Sequence, residues 1–112
     1  MNNKKTQFDI LKEKLAHFLH ERDWEKYHTP KNIAMSIAIE AAELMELLQW
    51  TNPDKTTVIS DNELMTKIKD EIADIIIYTI SLSLSLNIDL FESILTKMDR
   101  NYDRFPPNKE LK

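Results

Sequence analysis

Four acidic side chains stand in two pairs inside the most apolar segments of this chain. Glu40 and Glu43 form one pair, and Glu71 and Asp74 form the other, with the members of each pair three positions apart. Residues at that spacing share one face of a helix, with Cβ atoms roughly 5–6 Å apart. Ionised carboxylates repel one another at that range, and burying them is unfavourable unless a cation compensates. The two pairs therefore predict a metal site.

The kind of metal follows from the ligand atoms. Carboxylate oxygens are hard ligands that favour magnesium, manganese or calcium over zinc or copper. Di-iron bundles carry a histidine three residues after a glutamate, but here Glu43 follows Glu40 and Asp74 follows Glu71. We expect Mg²⁺, with Mn²⁺ as a substitute, bound together with substrate phosphates. The alternative is that these acids simply face water, which accounts for one pair more readily than for two.

A nucleoside polyphosphate substrate would also need cations to bind its phosphates and a flat side chain to stack on its base. Lys97 and Arg104 lie about two helical turns apart and could clamp phosphates, although a solvated basic face is the alternative. Three aromatic residues could each stack on a base, contributing about 1–3 kcal/mol apiece, or simply pack in the core. These are Trp24, Trp50 and Tyr78. His28 is expected to be a loop or cap residue and not a metal ligand.

The composition narrows the function classes. The 112 residues are 42% hydrophobic and 30% charged, enough for one domain with its own core. The net charge of −4 and the absence of a basic run argue against nucleic-acid binding. The chain has no glycine, which excludes Walker A loops, Rossmann phosphate loops and nucleophile elbows. Any phosphate must therefore be bound by metal and basic side chains.

Localisation is expected to be cytoplasmic. The chain has no cysteine, which is typical of a reducing compartment. Residues 1–7 lead into an amphipathic pattern and not into an apolar signal region. The apolar-rich stretch Ile75–Leu86 is interrupted by serines and is too short to span a bilayer. No membrane partner is expected.

Helical periodicity predicts an all-α fold with four helices in a single domain, residues 1–112. The first helix runs from about Thr6 to Glu25, and the second begins at the Thr29 cap with Pro30 and runs to about Trp50. The second helix is apolar on most sides, which indicates a central position or burial by a partner chain. Capping-box patterns start the third helix near Asp61 and the fourth at Asp89.

Two stretches of the pattern need interpretation. Residues 80–86 alternate serine with apolar residues, as a strand would, but no partner strand exists, so we predict helix with small serines where another helix packs closely. Residues 51–57 read as a polar connection. Pro106 and Pro107 end the fourth helix, and residues 106–112 are expected to form a loose tail.

Several motifs together resemble one family, the MazG-like all-α nucleoside triphosphate pyrophosphohydrolases, and most closely its dCTP pyrophosphatase branch. The resemblance covers about Phe18 to Pro106. The motifs are Glu21-Arg22-Asp23-Trp24, His28-Thr29-Pro30-Lys31-Asn32, Glu40-Ala41-Ala42-Glu43-Leu44, Gln49-Trp50, the run from Asp70 to Tyr78, and Lys97-Met98-Asp99-Arg100-Asn101.

The resemblance implies an oligomer, dimer or tetramer, with a site near a subunit interface. It implies Mg-dependent cleavage of a (d)NTP, such as dCTP or a modified dNTP, between the α and β phosphates, as a nucleotide-pool house-cleaning step. The four acids match the metal ligands, and one glutamate would orient or deprotonate water. The substrate-binding set would be Trp24, His28, Asn32, Trp50, Tyr78, Lys97, Asn101 and Arg104.

Two departures from the family pattern put the base preference in question. Ala42 stands where the family often has glycine, and Phe105 replaces the tyrosine of a Tyr-Pro pair. Segment 51–60 is where relatives vary most. Alternative functions are a dUTPase-like or phosphoribosyl-ATP pyrophosphohydrolase, or a non-catalytic helical module that binds a nucleotide or a partner.

Overall fold

Helices make up all the regular secondary structure of residues 4–107, the part of the chain that this computed structural model describes. The helices are α1 Gln7–Glu21, α2 Pro30–Glu46, α3 Lys55–Ser60, α4 Asn62–Ser85 and α5 Leu90–Arg104. A single 3₁₀ turn, Glu25–Tyr27, lies between α1 and α2. The prediction of an all-α fold is confirmed.

Each helix begins after a residue whose side-chain oxygen accepts a hydrogen bond from the backbone N–H three positions later. These capping residues are Thr6, Thr29, Asp54, Asp61 and Asp89. Such a cap pairs one of the N–H groups that the first helical turn leaves free. The predicted starts of the four long helices are therefore confirmed, including Pro30 as the first residue of α2.

Three details of the element prediction are wrong. A fifth, short helix, α3, occupies part of the predicted polar connection, where the Asp54 carboxylate accepts from the N–H of Thr57 at 2.8 Å. The apolar periodicity does not reveal this helix, because its six residues contain only one apolar pair, Val58 and Ile59. Helix α1 ends at Glu21 and not near residue 25, and α2 ends at Glu46, with turns following up to Trp50.

Helix α1 ends in a left-handed turn without glycine. Asp23 has φ 53°; its N–H donates to the carbonyl of His20, and the N–H of Trp24 donates to that of Leu19, both at 3.1 Å. These two bonds form a Schellman motif, in which the left-handed position is usually glycine. Helix α4 ends in the same motif at Asn87, whose φ is 54°.

Helix α4 is the central element of the fold. Helix α2 packs along it, and α1 and α3 also contact it. The two most buried side chains, Ile33 of α2 and Ile80 of α4, are 2% and 1% exposed. The acids of α2 and α4 are therefore carried by the two helices that pack most extensively together.

The alternating segment 80–86 lies within α4 up to Ser85, as predicted. Ser81 and Ser83 are buried, and their hydroxyls donate to the carbonyls of Ile77 and Thr79, one turn earlier. A buried hydroxyl needs such a partner. Because these hydrogen bonds satisfy the buried hydroxyls, serines can alternate with apolar residues inside a helix.

Helix α5 leaves the end of α4 at a bend of 105°. Its start is joined to α1 by Phe91, whose ring meets that of Phe8 edge to face at 4.5 Å. Further along, Leu95 and Met98 are exposed. The radius of gyration is 17.8 Å, whereas a compact domain of this length has roughly 13 Å. Much of the apolar surface of α5 is thus uncovered in one chain.

Within residues 4–107, no single helix has the length and apolar character needed to cross a membrane; only α4 and α5 counted together across their bend would. The predicted end of the fourth helix is close to the observed one at Arg104, just before Pro106. Most of the predicted tail, residues 108–112, lies outside the described residues.

Candidate active site

Three carboxylates from two helices meet on the face where α2 packs against α4. Glu40, Glu43 and Glu71 each place one oxygen within 4.8 Å of the others. Glu40 and Glu71 are half-buried, and Glu43 is exposed. The two acid pairs predicted on separate helices are thus brought together by tertiary packing.

Two of these carboxyl oxygens lack a hydrogen-bond partner. Oε2 of Glu40 and Oε2 of Glu71 are shielded from solvent, and no donor from residues 4–107 reaches them. The neighbouring Glu71 carboxyl, burial and the Glu43 charge together raise the pKa of Glu40 to about 7. A proton on Glu40 shared with the Glu71 carboxylate would lower the pKa of Glu71, but burial and the charges of Glu43 and Asp74 outweigh this effect, so the pKa of Glu71 is also raised. The pair needs either a shared proton or a cation.

A hard divalent cation fits this arrangement. Its donors would be the oxygens of Glu40, Glu43 and Glu71, the ligand type that magnesium and manganese prefer. Within residues 4–107, no lysine, arginine or histidine forms an ion pair with these acids. The compensating charge must therefore come from a proton or from an external ion.

Asp74 lies beside the three-oxygen cluster and is not part of it. It follows Glu71 by three residues on α4, and its charge contributes to the raised pKa of both Glu40 and Glu71. Asp74 is half-buried and lines a neighbouring cavity. Of the four predicted ligands, three form the cluster, and the fourth, Asp74, lies between the cluster and the cavity.

The cavity has a volume of about 460 Å³ and lies between α1, the turn after it and α4. Its walls are largely apolar, with Trp24 and Tyr78 among the lining residues and Asp74 and Lys14 as the charged ones. Ligand sites are commonly concave and apolar with a few polar groups. An aromatic cavity beside an acidic cluster suits a base attached to phosphates.

His28 and Asn32 play different parts in this region. His28 lines the cavity, and its Nδ1 is shielded from solvent without a partner among the described residues. The side-chain amide of Asn32 donates to the carbonyl of Tyr27 at 3.1 Å, which braces the turn that carries His28. Asn32 thus contacts the backbone here, and a substrate contact for it stays a prediction.

Four predicted substrate contacts do not reach this cavity. The Trp50 side chain is 87% exposed after α2. The other three residues, Lys97, Asn101 and Arg104, lie on α5. Helix α4 continues for fourteen residues beyond Glu71 to Ser85, which corresponds to roughly 21 Å, and α5 then turns away by 105°.

The lining of the cavity also includes two residues that were not predicted as functional. Phe18 and Lys14, both on α1, line it. The sequence marks Phe18 only as an apolar residue of a helix, and a lysine on an amphipathic helix carries no signal that separates it from a solvated one. Only the packing of α1 on α4 reveals their place.

The model of the MazG-like family matches residues 35–112, which include the four acids and α5. The chain belongs to the MazG-like family. This MazG-like chain is 38% identical over 94 residues to dCTP pyrophosphatase 1 of Bos taurus, and 35% identical over 92 residues to that of Homo sapiens. Each alignment covers 81% of the chain and 54% of the relative. The chain spans about half the length of these curated relatives.

A solved structure resembles the MazG-like chain along almost its whole length. It is the crystal structure of a pyrophosphatase from Archaeoglobus fulgidus, with a TM-score of 0.85 and 34% identity, covering 96% of this chain and 99% of that one. The similarity includes α1, which the family model leaves out. The resemblance inferred from the motifs is confirmed.

Proposed function

We propose that this protein is a Mg²⁺-dependent nucleoside triphosphate pyrophosphohydrolase that converts a (d)NTP into a (d)NMP and pyrophosphate. The observation that carries the proposal is the cluster of Glu40, Glu43 and Glu71, whose oxygens lie within 4.8 Å of one another and include two without a partner. A cluster of this charge beside an aromatic cavity fits a metal-bound polyphosphate.

The site residues have two proposed roles, which are to hold the metal ion and to hold the base. Glu40, Glu43 and Glu71 would hold the ion, with Asp74 at the border of the cavity. When bound, Mg²⁺ supplies charge neutralisation and polarisation of phosphoryl oxygens. Trp24 and Tyr78 would hold the base by stacking. The triphosphate would then extend from the cavity toward the acids.

The reaction needs water and a proton acceptor. The water oxygen forms a bond to phosphorus while the anhydride bond between the α and β phosphates breaks, and the proton of the water passes to a base. A carboxylate beside the bound ion is suited to accept that proton. One glutamate of the cluster would therefore orient or deprotonate the attacking water.

The substrate class is a pyrimidine or modified deoxynucleotide, with dCTP as the leading candidate. Two named relatives are dCTP pyrophosphatases, and the cavity of about 460 Å³ is of the size of a small-molecule site. The role would be removal of unwanted nucleotides from the cytoplasmic pool. Nucleic acid and membranes are not expected as partners, given the net charge of −4.

A second copy of the chain is proposed to complete the site. Lys97 and Arg104 lie on α5, which turns away from the acids, so a polyphosphate bound at the cluster would lack these cations in one chain. Leu95 and Met98 on the same helix are 61% and 48% exposed. In the proposed dimer or tetramer, a partner chain covers that apolar surface, and the cations on the other side of α5 reach the acids of a neighbouring chain.

The first experiment is pyrophosphate release from a panel of canonical and modified dNTPs, with and without Mg²⁺. We expect Mg-dependent release from at least one, and a loss of about 10²-fold or more in kcat/KM for Glu40→Gln. Glu46→Gln, at the exposed end of the same helix, is the matched control and should retain activity. Near-normal activity of Glu40→Gln would contradict the metal assignment.

The same panel separates the alternatives. Release only from dUTP, or only from phosphoribosyl-ATP, would indicate those related activities. A rise in melting temperature on adding nucleotide, with no turnover of any substrate, would indicate a binding module.

A further inference from the structure

Behind the Trp24 wall of the cavity, three side chains form a stack in the order Arg22, Phe18, Trp24. The central guanidinium carbon of Arg22 lies 3.7 Å from the centroid of the Phe18 ring. The Phe18 ring meets Trp24 edge to face, with centroids 5.6 Å apart and an interplanar angle of 79°. Phe18 and Trp24 line the cavity, and Arg22 supports them from outside.

Arg22 is held in place by more than the ring contact. Its Nη1 donates to the carbonyl oxygen of Phe18 at 3.2 Å and approaches the Glu21 carboxylate at 3.5 Å. A cation at this position also interacts favourably with the C-terminal end of α1. A planar guanidinium can cover a ring and donate to a carbonyl at once, which an ammonium group cannot do in the same geometry.

The backbone conformation of Asp23 brings Trp24 next to Phe18. Its left-handed conformation, φ 53°, lets the N–H of Trp24 return to the carbonyl of Leu19. The chain thereby reverses direction, so that Trp24 faces Phe18 across one turn. Aspartate and asparagine tolerate this region better than other residues with a Cβ, and β-branched residues tolerate it worst.

We propose that Arg22 and Asp23 are positioning residues that fix Trp24 as a wall of the nucleotide cavity and thereby control substrate affinity. Neither residue lines the cavity, so each acts through Trp24. The kinetic consequence rests on the proposed function, because it needs a nucleotide substrate. A purely structural role would instead lower stability and leave the conformation of Trp24 and KM unchanged.

The Arg22 test uses steady-state kinetics on the substrate that the panel identifies. Arg22→Lys keeps the charge but loses the planar stack, so KM should rise by about three- to tenfold while kcat stays within about twofold. Arg22→Met, which keeps the aliphatic stem without the charge, should raise KM at least as much. Unchanged KM in both variants would overturn the role of Arg22.

The Asp23 test has an internal control in the second left-handed position of the chain. Asp23→Val and Asn87→Val introduce the same unfavourable side chain into the same motif, and both should lower the melting temperature. Only Asp23→Val should raise KM, and Asp23→Asn should restore it. An equal rise in KM for Asn87→Val would show that destabilisation alone is responsible and would overturn the proposal.

Fluorescence tests the positioning without any enzymatic turnover. In a Trp50→Phe background, Trp24 is the single tryptophan, because the chain has two. Arg22→Lys and Asp23→Val should shift its emission to the red and increase quenching by acrylamide, and Asn87→Val should do neither. If no substrate were hydrolysed, the proposed function would fail, and this measurement would still support or overturn the positioning of Trp24.

Discussion

Glu40 and Glu71 approach each other across the α2–α4 interface with one shielded oxygen each and no donor between them among the described residues. The raised pKa of Glu40, about 7, means that the folded chain retains a proton which an ordinary carboxyl releases near 4.5. A divalent ion would take the place of that proton. At these two carboxyls, the binding of a proton and the binding of a metal ion therefore compete with each other.

This linkage predicts an unusual dependence of stability on pH. Between about pH 4.5 and 7, the folded state keeps a proton on Glu40 that the unfolded state has lost, so the site's contribution to stability falls as pH rises through that window. Above pH 7 the folded state bears the full electrostatic cost of the ionised carboxylates, and binding of Mg²⁺ should remove that cost. In EDTA the wild-type melting temperature should therefore fall from pH 5 to pH 8 relative to that of Glu40→Gln.

Thermal melts at fixed protein concentration check this expectation. At pH 8, Mg²⁺ should raise the wild-type melting temperature by about 4–8 °C for each kcal/mol of binding free energy, and by less at pH 6. Glu40→Gln should lose most of the response to Mg²⁺. Identical pH profiles for the two proteins in EDTA would rule out the proton-sharing pair.

At the scale of elements, α4 organises the fold because α1, α2 and α3 all contact it. It carries two of the acids, the buried serines Ser81 and Ser83 and the deeply buried Ile80. Its long regular course holds Glu71 and Asp74 one turn apart, so the cluster and the cavity share one rigid support. The absence of glycine fits this architecture, since the two left-handed helix ends use Asp23 and Asn87.

Removing the Ile80 side chain tests the central place of α4. Ile80→Ala should lower the free energy of unfolding by about 2–5 kcal/mol, because a side chain that is 1% exposed leaves a cavity behind. Ile10→Ala, on α1 and 54% exposed, should change it by only about 0.5 kcal/mol. Urea unfolding followed by circular dichroism measures both, and similar values would contradict the assigned core.

The whole molecule is open, with a radius of gyration of 17.8 Å and few fully buried side chains. The apolar face of α5 is exposed along its length: Phe91, Ile94, Leu95, Met98 and Tyr102. A strongly amphipathic helix of this kind is normally covered by a partner. The proposed oligomer would provide that cover and bring the α5 cations to the acids.

The oligomer is tested on α5 itself. Leu95→Asp places a charge on the apolar face, and we expect smaller assemblies by sedimentation velocity together with loss of activity. Thr96→Asp is the control, because Thr96 is exposed and lies about 100° around α5 from both Leu95 and Lys97. Wild-type protein that sediments as a monomer while fully active would contradict a site shared between chains.

Much of the fold and of the site could be predicted from local patterns. The helix starts followed from capping residues such as Thr29 and Asp89, because a cap acts within one turn. The acid pairs were visible because carboxylates at helical spacing in apolar segments are unfavourable without a cation. Helix α3 was missed, since its six residues are too few to show a helical apolar period.

The sequence by itself determined that the chain is helical and which acids, rings and cations are candidates, because those properties depend on residue type and short spacing. Only the tertiary structure decided which of them meet. It joined Glu40 and Glu43 to Glu71, put Trp24, His28, Asp74 and Tyr78 around one cavity, and left Lys97 on a helix that turns away. Contacts between distant residues depend on how helices cross, and that depends on the packing of the whole chain and, as we propose, of its partner copy.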